Sequence, residues 1–273
     1  MRDWDDAFAN SAYIPQSEAL PRLWAKQAQD YRAGLGPKFR ADLRYGHGAR
    51  QVFDLVLPDQ VPRGLMVFVH GGYWLAFGKS DWSHLAEGAR MRGWAVALPQ
   101  YTLAPKAGLP DMVLEVARAI VRAAGEIPGP IRLAGHSAGG HLVVRMICDD
   151  SQLPDAILGR LDRVVSISGL HELRPLLKTR MNDTLQLTDS IASAESAILH
   201  RPHPLARDLT CWVGAGERPE FRRQSRLLSE IWSGLDLPVR LEEEQGKNHF
   251  SVIDGLSNPN SALVGAILSP AAS

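Results

Sequence analysis

The chain has 273 residues, with 30 Lys and Arg against 30 Asp and Glu, and a formal net charge of zero. That length supports one large α/β domain with a sizeable core. The balanced charge gives no reason to expect nucleic acid or an anionic membrane surface as a partner. No run approaches the length needed to span a bilayer, and the charged start Met1-Arg2-Asp3-Trp4-Asp5-Asp6 has no apolar signal core behind it. The two cysteines, Cys148 and Cys211, lie in apolar runs and read as small buried hydrophobes rather than a disulfide pair or metal ligands. The expectation is a soluble protein of a reducing cytoplasm.

Residues 1–17 lack periodicity and are expected to wrap the surface, whereas 18–33 are rich in helix formers. Two short extended segments follow at 41–45 and 51–57, separated by the turn Gly46-His47-Gly48, which suggests an antiparallel start. The continuous apolar run 65–69 is expected to be a strand covered on both faces, ending at His70-Gly71-Gly72-Tyr73-Trp74. A helix over 81–92 and a strand over 94–98 come next. In the following helix Met112, Val116 and Ile120 stack at i, i+4, i+8, with Asp111, Glu115, Arg118 and Arg122 on the other face, and Gly129 and Pro130 close it. A short strand at 131–134 leads to Gly135-His136-Ser137-Ala138-Gly139 and then to an apolar helix. Further strands are expected at 163–168, 210–213 and 239–243, with a helix over 221–234. The polar, proline-containing stretch 169–207 reads as a small cap insertion in a single domain spanning 1–273. Alternating strands and helices imply a mostly parallel sheet with right-handed crossovers.

Gly-x-Ser-x-Gly between a strand and a helix is the nucleophile-elbow pattern. The turn holds Ser137 strained and exposed, and the helix N-terminus favours developing negative charge there. A serine hydroxyl needs a base, and the base needs a carboxylate to orient it. In this layout the chain order is serine, acid, histidine. Of the nine histidines, only His249 follows the last strand. Glu217 lies where the 210–213 strand gives way to a helix and is the preferred acid. Glu220 is its competitor, and Asp183 and Asp189 are misplaced in the cap. Gly71 and Gly72, with the amide of Ala138, are expected to form an oxyanion hole; His70 reads as structural. No metal is expected, since the histidines have no ligand spacing and His200 and His203 have proline neighbours. No phosphate-binding loop is present, and no cofactor is implied.

At these motifs the chain resembles the α/β-hydrolase superfamily, and within it the kynurenine formamidase (arylformamidase) group. The resemblance rests on His70-Gly71-Gly72-Tyr73-Trp74, on Tyr101-Thr102-Leu103-Ala104-Pro105-Lys106, on the elbow through His141-Leu142, on Ser168-Gly169-Leu170-His171 and on Val213-Gly214 with Pro219-Glu220-Phe221. Where that family carries aspartate, this sequence has Glu217. The resemblance implies hydrolysis of N-formylkynurenine to kynurenine and formate, with Tyr73, Trp74 and His171 as candidates for lining an aromatic pocket. A small-molecule substrate and a homodimer are the expected partners. A carboxylesterase acting on short-chain acyl esters is the alternative. A non-catalytic binding protein on the same fold is disfavoured, because all three triad positions are filled.

Overall fold

Leu65-Met66-Val67-Phe68-Val69 sends alternate side chains into two separate apolar cores. Leu65, Val67 and Val69 enter one, Met66 and Phe68 the other. A strand buried on both faces must lie inside a sheet covered on both sides. In the computed structural model, which describes residues 2–269, this strand sits near the middle of eight. In chain order they are β1 (Phe39–Arg44), β2 (Val52–Val56), β3 (Leu65–Val69), β4 (Ala95–Pro99), β5 (Ile131–His136), β6 (Leu161–Ile167), β7 (Leu209–Gly214) and β8 (Val239–Glu244). The sheet order is β1-β2-β4-β3-β5-β6-β7-β8. The pairs β1–β2 and β2–β4 are antiparallel and every later pair is parallel. The antiparallel start and the parallel body both follow the sequence reading.

On one face lie the helices Leu109–Glu126, Ala138–Arg145 and Pro219–Ser233; on the other lie Leu20–Leu35, Glu87–Met91 and Ala262–Leu268. The stacked Met112, Val116 and Ile120 are all buried, as their spacing predicts. The continuous helix expected over 81–92 is instead broken into the 3-10 turns Lys79–Asp81 and Ser83–Ala86 before the short helix Glu87–Met91. Lys79 is drawn inward to Asp54 at 2.7 Å, and Trp82 turns in against Trp24 with ring centroids 4.8 Å apart. These two anchors set the backbone path over helix propensity.

Residues 169–207 carry short turns and helices, including Arg174–Lys178, Asn182–Leu185 and Asp189–Ala194, and bury Leu170, Leu173 and Leu176 in the core. Residues 2–19 do more than wrap the surface. Phe8 is buried against Phe221, edge to face at 6.1 Å. Asp6 pairs with Arg218, and Tyr73 donates to the Phe8 carbonyl at 2.5 Å. Among the described residues no helix is long and apolar enough to cross a membrane.

Candidate active site

β5 ends at His136, and the helix Ala138–Arg145 begins one residue after Ser137. Ser137 has φ 55° and ψ −116°, a conformation that costs free energy for any residue bearing a Cβ. Two contacts hold it there. Its amide donates to the Ile167 carbonyl at 2.8 Å, and its carbonyl accepts from the His141 amide at 3.1 Å. The flanking glycines are required by space. A Cβ on Gly139 would lie 2.0 Å from the Val69 carbonyl oxygen, and one on Gly135 would lie 2.1 Å from that of Gly139. The two turns of chain can pass only if those positions are bare.

His249 stands in the loop after β8. Its Nδ1 donates to Glu217 Oε2 at 2.7 Å, and both side chains are buried. With the Nδ1 proton committed to the carboxylate, a neutral imidazole presents a bare Nε2 on its other side. Phe221 covers the ring at a centroid distance of 4.3 Å, and His136 donates from Nε2 to the His249 carbonyl at 2.8 Å. Burial, with His249 close by, pushes His136 well below the ordinary histidine range, so it stays a neutral donor. The loop is pinned from within. Asn248 Oδ1 accepts from the amides of Phe250 and Ser251, both at 3.0 Å.

Glu217 and Glu220, the two acids that the sequence left in competition, have different partners. Glu217 Oε1 accepts from Ser168 Oγ at 2.5 Å and from the Gly214 amide at 2.8 Å, while Oε2 meets His249. Glu220 is fully buried and bound instead by Arg223 at 2.7 Å, Arg2 at 3.0 Å and the Gln224 amide at 2.9 Å.

Gly71 lies directly against the nucleophile position. A Cβ there would be 3.0 Å from Ser137 Cβ and 2.9 Å from the His136 carbonyl oxygen. Among the described residues the amides of Gly71, Gly72 and Ala138 have no acceptor within the protein. They are unpaired donors, and Gly71 and Gly72 line the same cavity as Ser137. His70 is structural, as expected. It stacks on Tyr101 at 4.6 Å with an interplanar angle of 13°, and burial lowers its pKa to about 4.

Ser137, His249, Gly71, Gly72 and Tyr73 open onto one cavity of about 450 Å³. No hydrogen bond joins Ser137 Oγ to His249 among the described residues; in free enzymes such contacts are often long and tighten only around substrate. The remaining walls include an aromatic cluster beside small residues. Trp24, Phe77, Trp82 and Phe250 form a cluster with centroid spacings of 4.8–6.1 Å. The N-terminal residues 8–12 complete the wall, and no residue of 169–207 lines it.

Two of the three pocket candidates are corrected. Trp74 and His171 are fully buried and do not reach the cavity. Trp74 packs edge-on to His141 at 5.3 Å, and His171 Nε2 bonds Ser166 Oγ at 3.0 Å behind the elbow. Tyr73 does line the cavity. The sequence reading missed Ser168, Asn248 and the N-terminal wall. Ser168 follows β6 immediately and opens the Ser168-Gly169-Leu170-His171 motif of the resemblance; those were the signals available. Elsewhere, Asp149, Asp150 and His200 converge at the surface, but Arg145 takes both oxygens of Asp150 at 2.7 Å. Cys148 and Cys211 are both buried as free thiols, with pKa values pushed up to about 12 by burial.

A family model described as the alpha/beta hydrolase fold matches residues 66–252. The chain is 30% identical over 238 residues to the kynurenine formamidase of Danio rerio, covering 83% of this chain and 80% of that protein. It is 30% identical to the kynurenine formamidase of Salmo salar, covering 78% and 75%. A crystal structure from Silicibacter sp., described as that of a candidate thioesterase, superposes with a TM-score of 0.93 at 46% identity, over 98% of this chain and 99% of that one. With the strand order, the elbow and these matches in agreement, the chain belongs to the α/β-hydrolase family.

Proposed function

We propose that this protein is a serine hydrolase of small acyl groups, and that its substrate is the formyl amide of N-formylkynurenine, cleaved to kynurenine and formate. Ser137 Oγ attacks the formyl carbon while His249 Nε2 takes its proton. Glu217 holds the imidazole in the required tautomer and stabilises the imidazolium. The amides of Gly71, Gly72 and Ala138 receive the oxyanion, and losing one such donor typically costs about 3 kcal/mol in the transition state. His249 then protonates the departing aryl amine. Water attacks the formyl-enzyme with His249 again as base, and formate leaves.

The observation that carries this reading is the Glu217–His249 bond at 2.7 Å, buried behind a cavity that His249 and Ser137 both line. The aromatic cluster suits an aryl leaving group, and the kynurenine formamidases at 30% identity supply the substrate.

A second reading, hydrolysis of short-chain acyl esters, has its own support. Among the described residues the cavity lining contains no Asp, Glu, Lys or Arg, so the charged amino-acid end of N-formylkynurenine meets no side-chain counter-charge from them. The same triad serves both substrates. The deciding experiment compares kcat/KM for N-formylkynurenine, p-nitrophenyl acetate and p-nitrophenyl butyrate. A lead of orders of magnitude for the formyl amide supports the first reading; barely detectable turnover of it beside fast ester cleavage supports the second. Ser137→Ala must abolish turnover of all three in a folded protein, and a residual rate within tenfold of wild type overturns both. A cytoplasmic setting and a homodimer complete the proposal; light scattering against the 29.9 kDa protomer tests the dimer.

A further inference from the structure

We propose that Ser168 is a positioning residue for the acid of the triad, and that it is what allows a glutamate to serve at position 217. The proposal rests on the triad reading above and adds a residue to it.

Glutamate reaches further than aspartate and has one more torsion to fix before its carboxylate can face a histidine. Left free, that torsion spreads the carboxylate over several orientations. Here the two oxygens have separate tasks. Oε2 meets only His249 Nδ1, at 2.7 Å. Oε1 accepts twice, from the Gly214 amide at 2.8 Å and from Ser168 Oγ at 2.5 Å. Gly214 ends β7 and Ser168 follows β6, so two neighbouring strands each send one donor to the same oxygen. With Oε1 held from both sides, rotation about the last side-chain bond is blocked and Oε2 is aimed at the imidazole. The Gly214 donor lies only three residues before the glutamate and moves with its turn. Ser168 is the donor anchored elsewhere in the sheet.

The backbone at Ser168 shows what that placement requires. Its φ is 53°, in the region that disfavours any residue with a Cβ. It is fully buried, and its amide is fixed to the Trp212 carbonyl at 2.7 Å. Glycine would relax this conformation and is the residue that local backbone sterics favour. A serine at a glycine-like position is accounted for by its hydroxyl, and that hydroxyl has one partner, Glu217.

The test is Ser168→Gly, alone and combined with Glu217→Gln, on p-nitrophenyl acetate. Glycine suits the backbone, so the fold is kept, with Tm expected within about 5 °C of wild type. Ser168→Gly alone should lower kcat roughly ten- to a hundredfold, the range of a hydrogen bond to a charged group, with KM within about twofold. In the Glu217→Gln background the same substitution should cost less than about threefold, because the residue it acts through is already disabled. A structural role would give equal losses in both backgrounds and would track Tm. A Ser168→Gly enzyme with wild-type kcat beside a crippled Glu217→Gln enzyme overturns the assignment of Ser168 alone. A Glu217→Gln enzyme with near wild-type kcat overturns the triad reading, and Ser168 with it.

Discussion

Replacing Glu217 by glutamine changes one oxygen to an amide nitrogen and almost nothing else in size. The surroundings decide which way the amide turns. Two donors, Ser168 Oγ and the Gly214 amide, face Oε1, and one, His249 Nδ1, faces Oε2. Placing the NH2 at Oε1 opposes the fixed Gly214 N–H, whereas placing it at Oε2 faces an imidazole that can change tautomer. The amide therefore keeps its oxygen at Oε1 and points NH2 at His249. The imidazole answers by moving its proton to Nε2, so that Nδ1 can accept. That tautomer presents an N–H to the cavity and cannot take the Ser137 proton. The expected loss in kcat is roughly 10³–10⁴-fold, about 4–5.5 kcal/mol of transition-state stabilisation, with KM changed little. Glu220→Gln is the control. It disturbs the ion pairs to Arg223 and Arg2 and lowers stability by roughly 1–3 kcal/mol, while kcat should stay within a small factor of wild type because Glu220 bonds neither Ser137 nor His249. Both variants are assayed by steady-state ester hydrolysis beside a thermal melt. A Glu217→Gln enzyme within tenfold of wild type, or a larger kcat loss for Glu220→Gln, refutes the reasoning.

Other consequences follow from the same geometry. Tyr73→Phe removes the hydroxyl that donates to the Phe8 carbonyl and accepts from Asn10 Nδ2 at 3.2 Å. The N-terminal wall should loosen, raising KM for aryl substrates by roughly three- to tenfold at constant kcat, the size of one or two modest hydrogen bonds; an unchanged KM contradicts the wall assignment. Stability should fall on acidification. Burial holds His70 at about 4 and His141 and His171 at about 3, below the unfolded value of about 6.5. The unfolded chain therefore takes up protons first as pH drops. Each group then removes up to about 1.4 kcal/mol per pH unit below about 6.5, until its folded pKa is reached. Thermal melts between pH 7 and 4.5 check this, and a flat Tm over that range contradicts it.

The sequence made the parallel body of the sheet and the serine elbow legible because each depends on local pattern. A run such as 65–69 is apolar at every position, and a parallel strand is buried on both faces, so its assignment needs no knowledge of partners. Gly135 and Gly139 flank Ser137 because the turn itself requires bare positions, and that too is local. His249 was found by topology alone, as the one histidine after the last strand. The choice between Glu217 and Glu220 was less accessible, since Glu217 sits in the turn just before the helix Pro219–Ser233 and Glu220, three residues on, in its first turn. Only Arg2, from the other end of the chain, and Arg223 mark Glu220 as the partner of cations.

The pocket was the least legible feature, and the reason is the same for its false and its missed members. Tyr73, Trp74 and His171 are all aromatic and all close in sequence to site motifs, so nothing local separates them. The backbone does. Tyr73 and Trp74 both have positive φ, 52° and 60°, and on this tight turn successive side chains diverge. Tyr73 turns to the cavity and Trp74 turns into the core beside His141. The missed wall comes from residues 8–12, which show no periodicity because they form neither strand nor long helix. What fixes them is a set of single long-range contacts: Asp6 to Arg218, Phe8 to Phe221 and Tyr73 to the Phe8 carbonyl. Arg218 and Phe221 lie one and four residues after Glu217, and Phe221 also covers the His249 ring. The segment that shapes the substrate cavity is thereby fastened to the loop that carries the acid. Shifting that loop to suit a different acid would move the cavity wall, whereas a donor from the neighbouring strand holds a longer side chain with the loop left in place. Ser168 supplies that donor.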